Sequence, residues 1–414
     1  MLYTLSAPST LHATLQLPAS KSISNRALIL HALSKGHLTP SNLSDCDDTR
    51  VMIHALESHS DLIDIMAAGT AMRFLTAYLS VTPGIRTITG TQRMQQRPIR
   101  ILVDALRELG AQIEYINKEG FPPLRITGAS LQGETITLAG NVSSQYISAL
   151  LMIGPVLKHG LKLHLTGEVI SRPYINLTLQ LMKDFGVEAA WDSENSIIVH
   201  PDSYQDIPFI VESDWSAASY WYQMVALIPV TTDTTNHKTL VELTGLFPRS
   251  YQGDSRGAEI FARLGVSTEY TEQGIKLNKT DISVQRLDED FVDIPDLAQT
   301  FVVTCVLLGI PFRFTGLQSL KIKETDRIAA LITELHKLGY IIHAEQDSIL
   351  IWNGERCEAE AHPIISTYED HRMAMAFAPA SLRIPSLQIA DPEVVSKSYP
   401  AYWEDLKRVG FKIK

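Results

Sequence analysis

Apolar residues alternate with polar ones at Leu11, Ala13, Leu15 and Leu17, and Pro18 closes the run. A half-buried strand is expected there. The period then changes. Ile23, Ala27, Leu30 and Leu33 fall on one helical face, with Ser20 as N-cap and Gly36 at the end. This helix-then-glycine device recurs: amphipathic stretches end in an apolar residue and glycine at Gly110, Gly186, Gly265, Gly339 and Gly410, 71–79 residues apart. A second marker keeps the same step. Strands end in Thr-Gly at Gly90, Gly167, Gly245 and Gly316, and Asp391, after the strand Leu387–Ala390, takes the fifth place. Two markers sharing one period predict five copies of an α/β unit.

A sixth copy precedes these, with Asn42 at its loop and a helix over Asp48–His59. It is shortened, since Ser60 and Gly110 are only 50 residues apart. Six units over 414 residues exceed one hydrophobic core and divide into two domains of three. The runs Ile147–Leu157 and Phe301–Ile310 are apolar throughout but too short to span a bilayer, so buried helices are expected. Strands and helices interleave, yet neither GxGxxG nor GxxxxGK[ST] occurs, so Rossmann and P-loop readings lack their physical signature.

Composition narrows the function. A formal charge of −10 argues against a nucleic-acid-coating or membrane-surface protein, and an anionic ligand would need cations gathered locally. The three cysteines, Cys46, Cys305 and Cys357, are odd in number and widely spaced. That fits a reducing cytoplasm without a disulfide framework. The N-terminus has no basic segment ahead of an apolar core, so no signal peptide is expected. The histidines show no metal-ligand spacing, and no catalytic metal is expected.

Cations and hydroxyls do gather at helix starts. Ser20-Lys21-Ser22, with Arg26 one turn on, would hold a small anion or equally form an exposed capped helix. Gly69 opens a helix where a ligand can approach the backbone closely. Ser143-Ser144-Gln145 and Ser171-Arg172-Pro173 offer hydroxyls and backbone N–H groups to a phosphate, with N-capping as the alternative. Two stretches carry acid–base chemistry. Lys321-Ile322-Lys323-Glu324-Thr325-Asp326-Arg327 packs three cations and two carboxylates before a helix, where adjacent Lys and Glu would perturb each other's ionisation or equally form a salt-bridged, solvated helix start. In Asp370-His371-Arg372, His371 is either a base or a structural histidine fixed by its neighbour. Asp296 stands alone at another helix start, where capping is the simplest role.

In order, LPASKSISNRAL (Leu17–Leu28), AGTAMR (Ala68–Arg73), RPI (Arg97–Ile99), VSSQYISALLM (Val142–Met152), SRPYI (Ser171–Ile175), IPD (Ile294–Asp296), KETDR (Lys323–Arg327), DHRMAM (Asp370–Met375) and SKSYP (Ser396–Pro400) resemble the enolpyruvyl transferases. Within them, the chain is similar to the 5-enolpyruvylshikimate-3-phosphate synthases, or 3-phosphoshikimate 1-carboxyvinyltransferases, from about residue 11 onward. The resemblance implies an α/β (α+β) fold of two similar domains, each of three βαβαββ units, closing on substrates, with the first unit truncated. Residues 20–212 would form one domain carrying most of the shikimate 3-phosphate site. Residues 1–19 and 213–414 would form the second, with proton transfer and part of the phosphoenolpyruvate site.

The implied reaction moves the enolpyruvyl group of phosphoenolpyruvate to the 5-hydroxyl of shikimate 3-phosphate. It passes through a tetrahedral ketal and belongs to chorismate and aromatic amino-acid biosynthesis in the cytoplasm. No cofactor is implied, the chain is expected to be a monomer, and glyphosate is the implied inhibitor. By motif, Ser22 and Arg26 would hold the shikimate carboxylate, and Ser143, Ser144 and Ser171 its phosphate. Gln145 and Tyr174 would lie near the ring, with Asp296, Ser319 and Lys323 at its hydroxyls. Lys21, Arg97, Arg327, Arg372 and Lys397 would bind phosphoenolpyruvate, with the Gly69 backbone at its edge. Glu324 would serve the methylene proton, and Asp296, with Glu324 and Lys323 as alternatives, would take the hydroxyl proton.

The sequence departs from the family pattern at Ala67 and Ser319, where asparagine is common, and at Phe74, where proline is common. The shortened unit predicts a narrower sheet and thinner packing behind the loop Ala67–Thr70, hence weakened donor binding. Two rivals share the fold: a transferase acting on UDP-N-acetylglucosamine, and a low-activity shikimate 3-phosphate binding protein. Against the first, the loop Gly90–Gln96 lacks the cysteine typical of that family.

Overall fold

The computed structural model describes residues 1–170, 172–229 and 241–414. Strands β1 (Leu2–Ser6) and β2 (Ala13–Gln16) come first, followed by helices α1 (Lys21–Ser34) and α2 (Asp47–Glu57). One complete set follows: β3 (Leu62–Asp64), α3 (Gly69–Val81), β4 (Gly84–Thr89), α4 (Arg100–Glu108), β5 (Gln112–Tyr115) and β6 (Leu124–Gly128). The next is β7 (Thr135–Ala139), α5 (Ser144–Ile153), β8 (Leu161–Thr166), α6 (Arg172–Asp184), β9 (Ala189–Ser193) and β10 (Ser196–Val199). Then come α7 (Trp215–Leu227), β11 (Val241–Thr244), α8 (Gly257–Arg263), β12 (Val266–Tyr270) and β13 (Gly274–Lys279). A further set comprises β14 (Leu287–Asp290), α9 (Ala298–Leu308), β15 (Phe312–Thr315), α10 (Arg327–Lys337), β16 (His343–Glu345) and β17 (Ile349–Trp352). The last elements are β18 (Ile364–Ile365), α11 (His371–Phe377), β19 (Leu387–Ala390), α12 (Tyr402–Arg408) and β20 (Lys412–Ile413).

The chain forms two compact units, an inserted one (Ala19–Glu212) and an outer one (Met1–Pro18 with Ser213–Lys414). Each has its own apolar core. Among the described residues the outer unit holds three four-stranded sheets, ordered β12-β13-β11-β2, β14-β15-β17-β16 and β18-β19-β1-β20. The inserted unit holds two, β3-β4-β6-β5 and β7-β8-β10-β9. In every sheet two strands pair in parallel; in four of the five a returning hairpin adds the antiparallel strands, and in the sheet of β18 and β19 those strands are β1 and β20. The third set of the inserted unit keeps α1 and α2, but its sheet is reduced to one parallel bridge, Ser41 to Ile210. The hairpin that would complete it is the missing third of the repeat.

The helices are amphipathic or wholly buried according to how many layers cover them. On α4 only Leu102, Val103, Ala105 and Leu106 are buried, whereas α9 is buried from Ala298 through Val306. Each such Leu, Val or Phe contributes about 1.5–3 kcal/mol on burial. Several expected boundaries move. Lys35, not Gly36, takes the left-handed conformation (φ 55°) that ends α1. Gly36 is instead a close approach: a Cβ there would strike the Asp206 carboxylate, which accepts from the backbone N–H of His37 and Leu38 at 2.8 and 2.9 Å. The helix expected to run to Leu157 leaves α-geometry after Ile153 and finishes in a 3-10 turn, Gly154–Val156.

The thin packing expected behind Ala67–Thr70 is not observed. The missing strands belong to the preceding set, and this loop follows β3 in a complete sheet. Ile65 donates to Thr89 O, Ala68 to Ile65 O and Thr91 to Met66 O, each at 2.9 Å. Ala68, Gly69 and Thr70 are buried.

Candidate active site

The candidate side chains share one address in the repeat. They lie in the loops or helix starts that follow the two parallel strands of a set, where strand carboxyl ends leave room for ligands. Gly69 follows β3, Arg97 follows β4 and Ser143-Ser144-Gln145 follows β7. In the outer unit Asp296 follows β14, Lys323, Glu324 and Arg327 follow β15, Arg372 follows β18, and Lys397 follows β19.

In the inserted unit, Ser20 caps α1, accepting from Ile23 N at 3.4 Å. This orients Lys21 and Ser22, both half-buried, and sends Arg26 into the interior. Arg26 is 3% exposed. Its Nε donates to Thr178 Oγ1 (2.7 Å), Nη1 to Ser22 O (2.9 Å) and Nη2 to Ser148 Oγ (3.1 Å), and its guanidinium lies 5.2 Å from the Phe74 ring centroid. Those partners are all neutral. Burial therefore lowers its pKa to about 10, with Tyr174 opposing weakly. A buried guanidinium held by neutral groups is not the solvated side chain of an exposed capped helix. Lys21 forms an ion pair with Asp48 at 3.8 Å.

Two more guanidinium groups converge on Gly69. A Cβ there would lie 2.7 Å from Arg97 Nη1 and 2.9 Å from Arg73 Nη1. Arg73 is buried, donates to Gly69 O at 2.9 Å, and its Nε has no hydrogen-bond partner. Gln145 Nε2 reaches Thr70 Oγ1 at 3.2 Å, tying the start of α5 to the start of α3. Ser143 caps α5 through Gln145 N (3.4 Å), while Ser144 and Tyr174 are half-buried. Ser171 lies outside the described residues. Arg172, beside it, is turned to Glu194 O and Asn195 Oδ1 at 2.7 and 3.2 Å, over the Trp191 ring.

In the outer unit the hub is Asp296. Oδ1 lies 3.1 Å from Arg327 Nη1 and 3.5 Å from Lys323 Nζ, and Oδ2 lies 2.8 Å from Arg372 Nη2. Simple capping does not describe it. Arg327, 1% exposed, also donates to Asp370 (2.7 and 3.3 Å) and to Glu324 Oε2 (2.8 Å). Burial alone would lower its pKa, but Asp370, Glu324 and Asp296 outweigh that and raise it. The expected mutual pairing of Lys323 and Glu324 is replaced by these two: Lys323 with Asp296 and Glu324 with Arg327. Asp326 provides the cap of α10, through Ala329 N at 3.1 Å. His371 is buried with Nδ1 3.8 Å from Asp370 Oδ1. Lys397 Nζ donates to Glu369 O at 2.8 Å. Ser319 Oγ is buried without a hydrogen-bond partner.

Sequence reasoning missed part of this cluster. Ser216 Oγ and Tyr220 OH, both on α7, face Arg372 Nη2 and Nη1 at 3.4 and 3.5 Å. Burial, only partly offset by Arg372, pushes the Tyr220 hydroxyl up to about 12. Ser216 in turn donates to buried Asp254. Asp254 lies in the loop after β11, the same repeat address as Arg97 and Lys323, and that address was the available signal.

Comparison with known proteins decides the family. The family model for EPSP synthase (3-phosphoshikimate 1-carboxyvinyltransferase) matches residues 5–60 and 56–406. A 3-phosphoshikimate 1-carboxyvinyltransferase of Bacteroides fragilis (strain YCH46) is 72% identical, with 100% of this chain and 99% of the relative covered. The chain belongs to the EPSP synthase family. The two stretches of the EPSP synthase match meet at residues 56–60, where the repeat lacks its hairpin. A 3-phosphoshikimate 1-carboxyvinyltransferase from Vibrio cholerae (strain M66-2) is 36% identical, with 97% of each chain covered. An EPSP synthase structure from Acinetobacter baumannii superposes with a TM-score of 0.78 at 20% identity, covering 100% of this chain and 99% of that one. The enolpyruvyl transferase NikO from Streptomyces tendae gives 0.72 at 14% identity, covering 100% and 98%. These two structures establish the shared fold.

Proposed function

We propose that the chain transfers the enolpyruvyl group of phosphoenolpyruvate to the 5-hydroxyl of shikimate 3-phosphate, releasing phosphate. The observation that carries this reading is Asp296 held between Lys323, Arg327 and Arg372 in a chain of this family. The substrates bring roughly five or six negative charges, two phosphates and two carboxylates. Arg26 with Ser22 receives the shikimate carboxylate, and Ser143, Ser144 and Ser171 receive its phosphate. Gln145 and Tyr174 border the ring, and Ser319 and Lys323 meet its hydroxyls. Lys21, Arg97, Arg327, Arg372 and Lys397 receive phosphoenolpyruvate beside the Gly69 backbone.

The proposed proton steps use Asp296 and Glu324. Asp296 takes the 5-hydroxyl proton as that oxygen bonds to C2 of phosphoenolpyruvate. The electrons of the C2–C3 double bond take a proton from Glu324, giving a methyl group on a tetrahedral ketal. Elimination returns a methyl proton to the enzyme, re-forms the double bond and expels phosphate. Guanidinium groups fixed before binding favour the charge that develops on the phosphate oxygens.

No helix among the described residues is long and apolar enough to cross a membrane. A monomeric cytoplasmic enzyme, inhibited by glyphosate in the donor pocket, completes the proposal. The test is phosphate release from phosphoenolpyruvate with shikimate 3-phosphate as acceptor, beside UDP-N-acetylglucosamine as control. Release only with shikimate 3-phosphate is expected; release only with the nucleotide sugar, or with neither, overturns the proposal.

A further inference from the structure

The outer unit contains a second carboxylate that the reaction above does not use. Asp254 is 5% exposed, on the short 3-10 turn Gly253–Arg256 after β11. It accepts a hydrogen bond from Ser216 Oγ, and the same Oγ accepts from Arg372 Nη2 at 3.4 Å. Arg372 Nη2 lies 2.8 Å from Asp296 Oδ2. Ser216 and the guanidinium of Arg372 thus link two carboxylates, Asp254 and Asp296. The groups acting on Asp254 from the surrounding elements are Asp296 ahead of α9, Arg372 on α11, and Ser216 and Asp214 at the start of α7.

We infer that Asp254 is a positioning residue for Arg372: protonated, it leaves the guanidinium to Asp296 and the anionic donor, and ionised, it competes for that guanidinium. The inference rests on the proposed reading of Arg372 as a donor-binding group. The chemistry supports it. Burial first, then repulsion from Asp296, pushes the Asp254 carboxyl up to about 7, against the opposing pull of Arg372 and Ser216. The loss of this proton falls inside the working range of a neutral-pH enzyme. Above that pH the pocket gains a negative charge close to an anion-binding guanidinium, and donor affinity falls.

The experiment compares the parent with Asp254→Asn, which preserves shape and the acceptor for Ser216 but has no proton to lose. The KM for phosphoenolpyruvate, measured from pH 6 to 8.5 with shikimate 3-phosphate saturating, is expected to rise about fivefold in the parent and to stay nearly level in the variant. Titration of the donor's own phosphate is common to both proteins and cancels in their ratio. Parallel profiles overturn the inference.

A second readout does not need turnover. The folded carboxyl keeps its proton to higher pH than an unfolded one, so the folded state binds more protons between about pH 4 and 7 and parent stability falls across that window. The urea midpoint of the parent is therefore expected to drop relative to that of Asp254→Asn between pH 5 and 8. An unchanged gap overturns the inference. If the parent shows no turnover with these substrates the functional reading fails, and the urea comparison alone decides whether Asp254 titrates as described.

Discussion

Arg327 and Asp370 meet at two points, Nε to Oδ2 at 2.7 Å and Nη2 to Oδ1 at 3.3 Å, with 1% and 0% of their side chains exposed. Asp370 also caps α11 through the Arg372 N–H at 2.9 Å. One carboxylate therefore fixes the Arg327 side chain and the Arg372 backbone, both in the Asp296 network. Removing one partner of such a pair leaves a buried charge uncompensated, at about 3–5 kcal/mol. Asp370→Ala should lower the unfolding free energy in urea by about that amount. A loss below about 1 kcal/mol would mean that Glu324 and Asp296 suffice to neutralise Arg327.

Arg26 is the opposite case. Its hydrogen-bond partners are neutral, and its lowered pKa of about 10 means that it is charged in both folded and unfolded chains at any working pH. The full burial cost is therefore present at neutral pH. Ser148 and Thr178 retain their mutual bond at 2.8 Å without it. Arg26→Met should keep or raise the melting temperature, while weakening shikimate 3-phosphate about tenfold or more in calorimetry. A lower melting temperature with unchanged affinity would make Arg26 a structural residue.

At Gly69 the intruding methyl of Gly69→Ala meets the flexible ends of Arg97 and Arg73, not backbone. Stability should change by less than about 1 kcal/mol. Both guanidinium groups must shift by a few tenths of an ångström, so KM for phosphoenolpyruvate should rise and the glyphosate inhibition constant should rise with it. An inhibition constant that does not move would place the donor elsewhere.

Glu324→Gln keeps the shape and a hydrogen-bond acceptor for Arg327, but removes an acid. It should bind both substrates with near-parental dissociation constants while kcat falls by about a hundredfold or more. Equal turnover would remove Glu324 from the proton path.

The periodic parts of this architecture were legible because local sequence dictates them. Four Thr-Gly ends and five helix-terminal glycines mark the five full sets, and the interval shortened before Gly110 announced the missing hairpin. Motifs led to Asp296, Arg327 and Arg372, which share one network. Partner choice was not legible. Lys323 and Glu324 are neighbours in sequence, but the backbone sends them to Asp296 and Arg327. Ser216 and Tyr220, neighbours on α7, lie 156 and 152 residues from Arg372 along the chain, and only the folded protein brings them together. The loop Ala67–Thr70 misled for the same reason: the strand bracing it comes from its own set, β4, rather than from the shortened one.

Strand β1 lies between β19 and β20, which follow it in the chain only after the whole inserted unit and most of the outer one. As the chain leaves the ribosome, Leu5, fully buried in the finished protein, has no strand partner until β19 has been made. Meanwhile the inserted unit emerges whole, its ends joined by the Ser20 N–H to Glu212 O bond at 2.8 Å. Domains generally fold as units in order of synthesis. The inserted unit is therefore complete while the outer one still awaits its closing strand, and premature termination near residue 380 would yield one finished half beside an exposed, aggregation-prone strand.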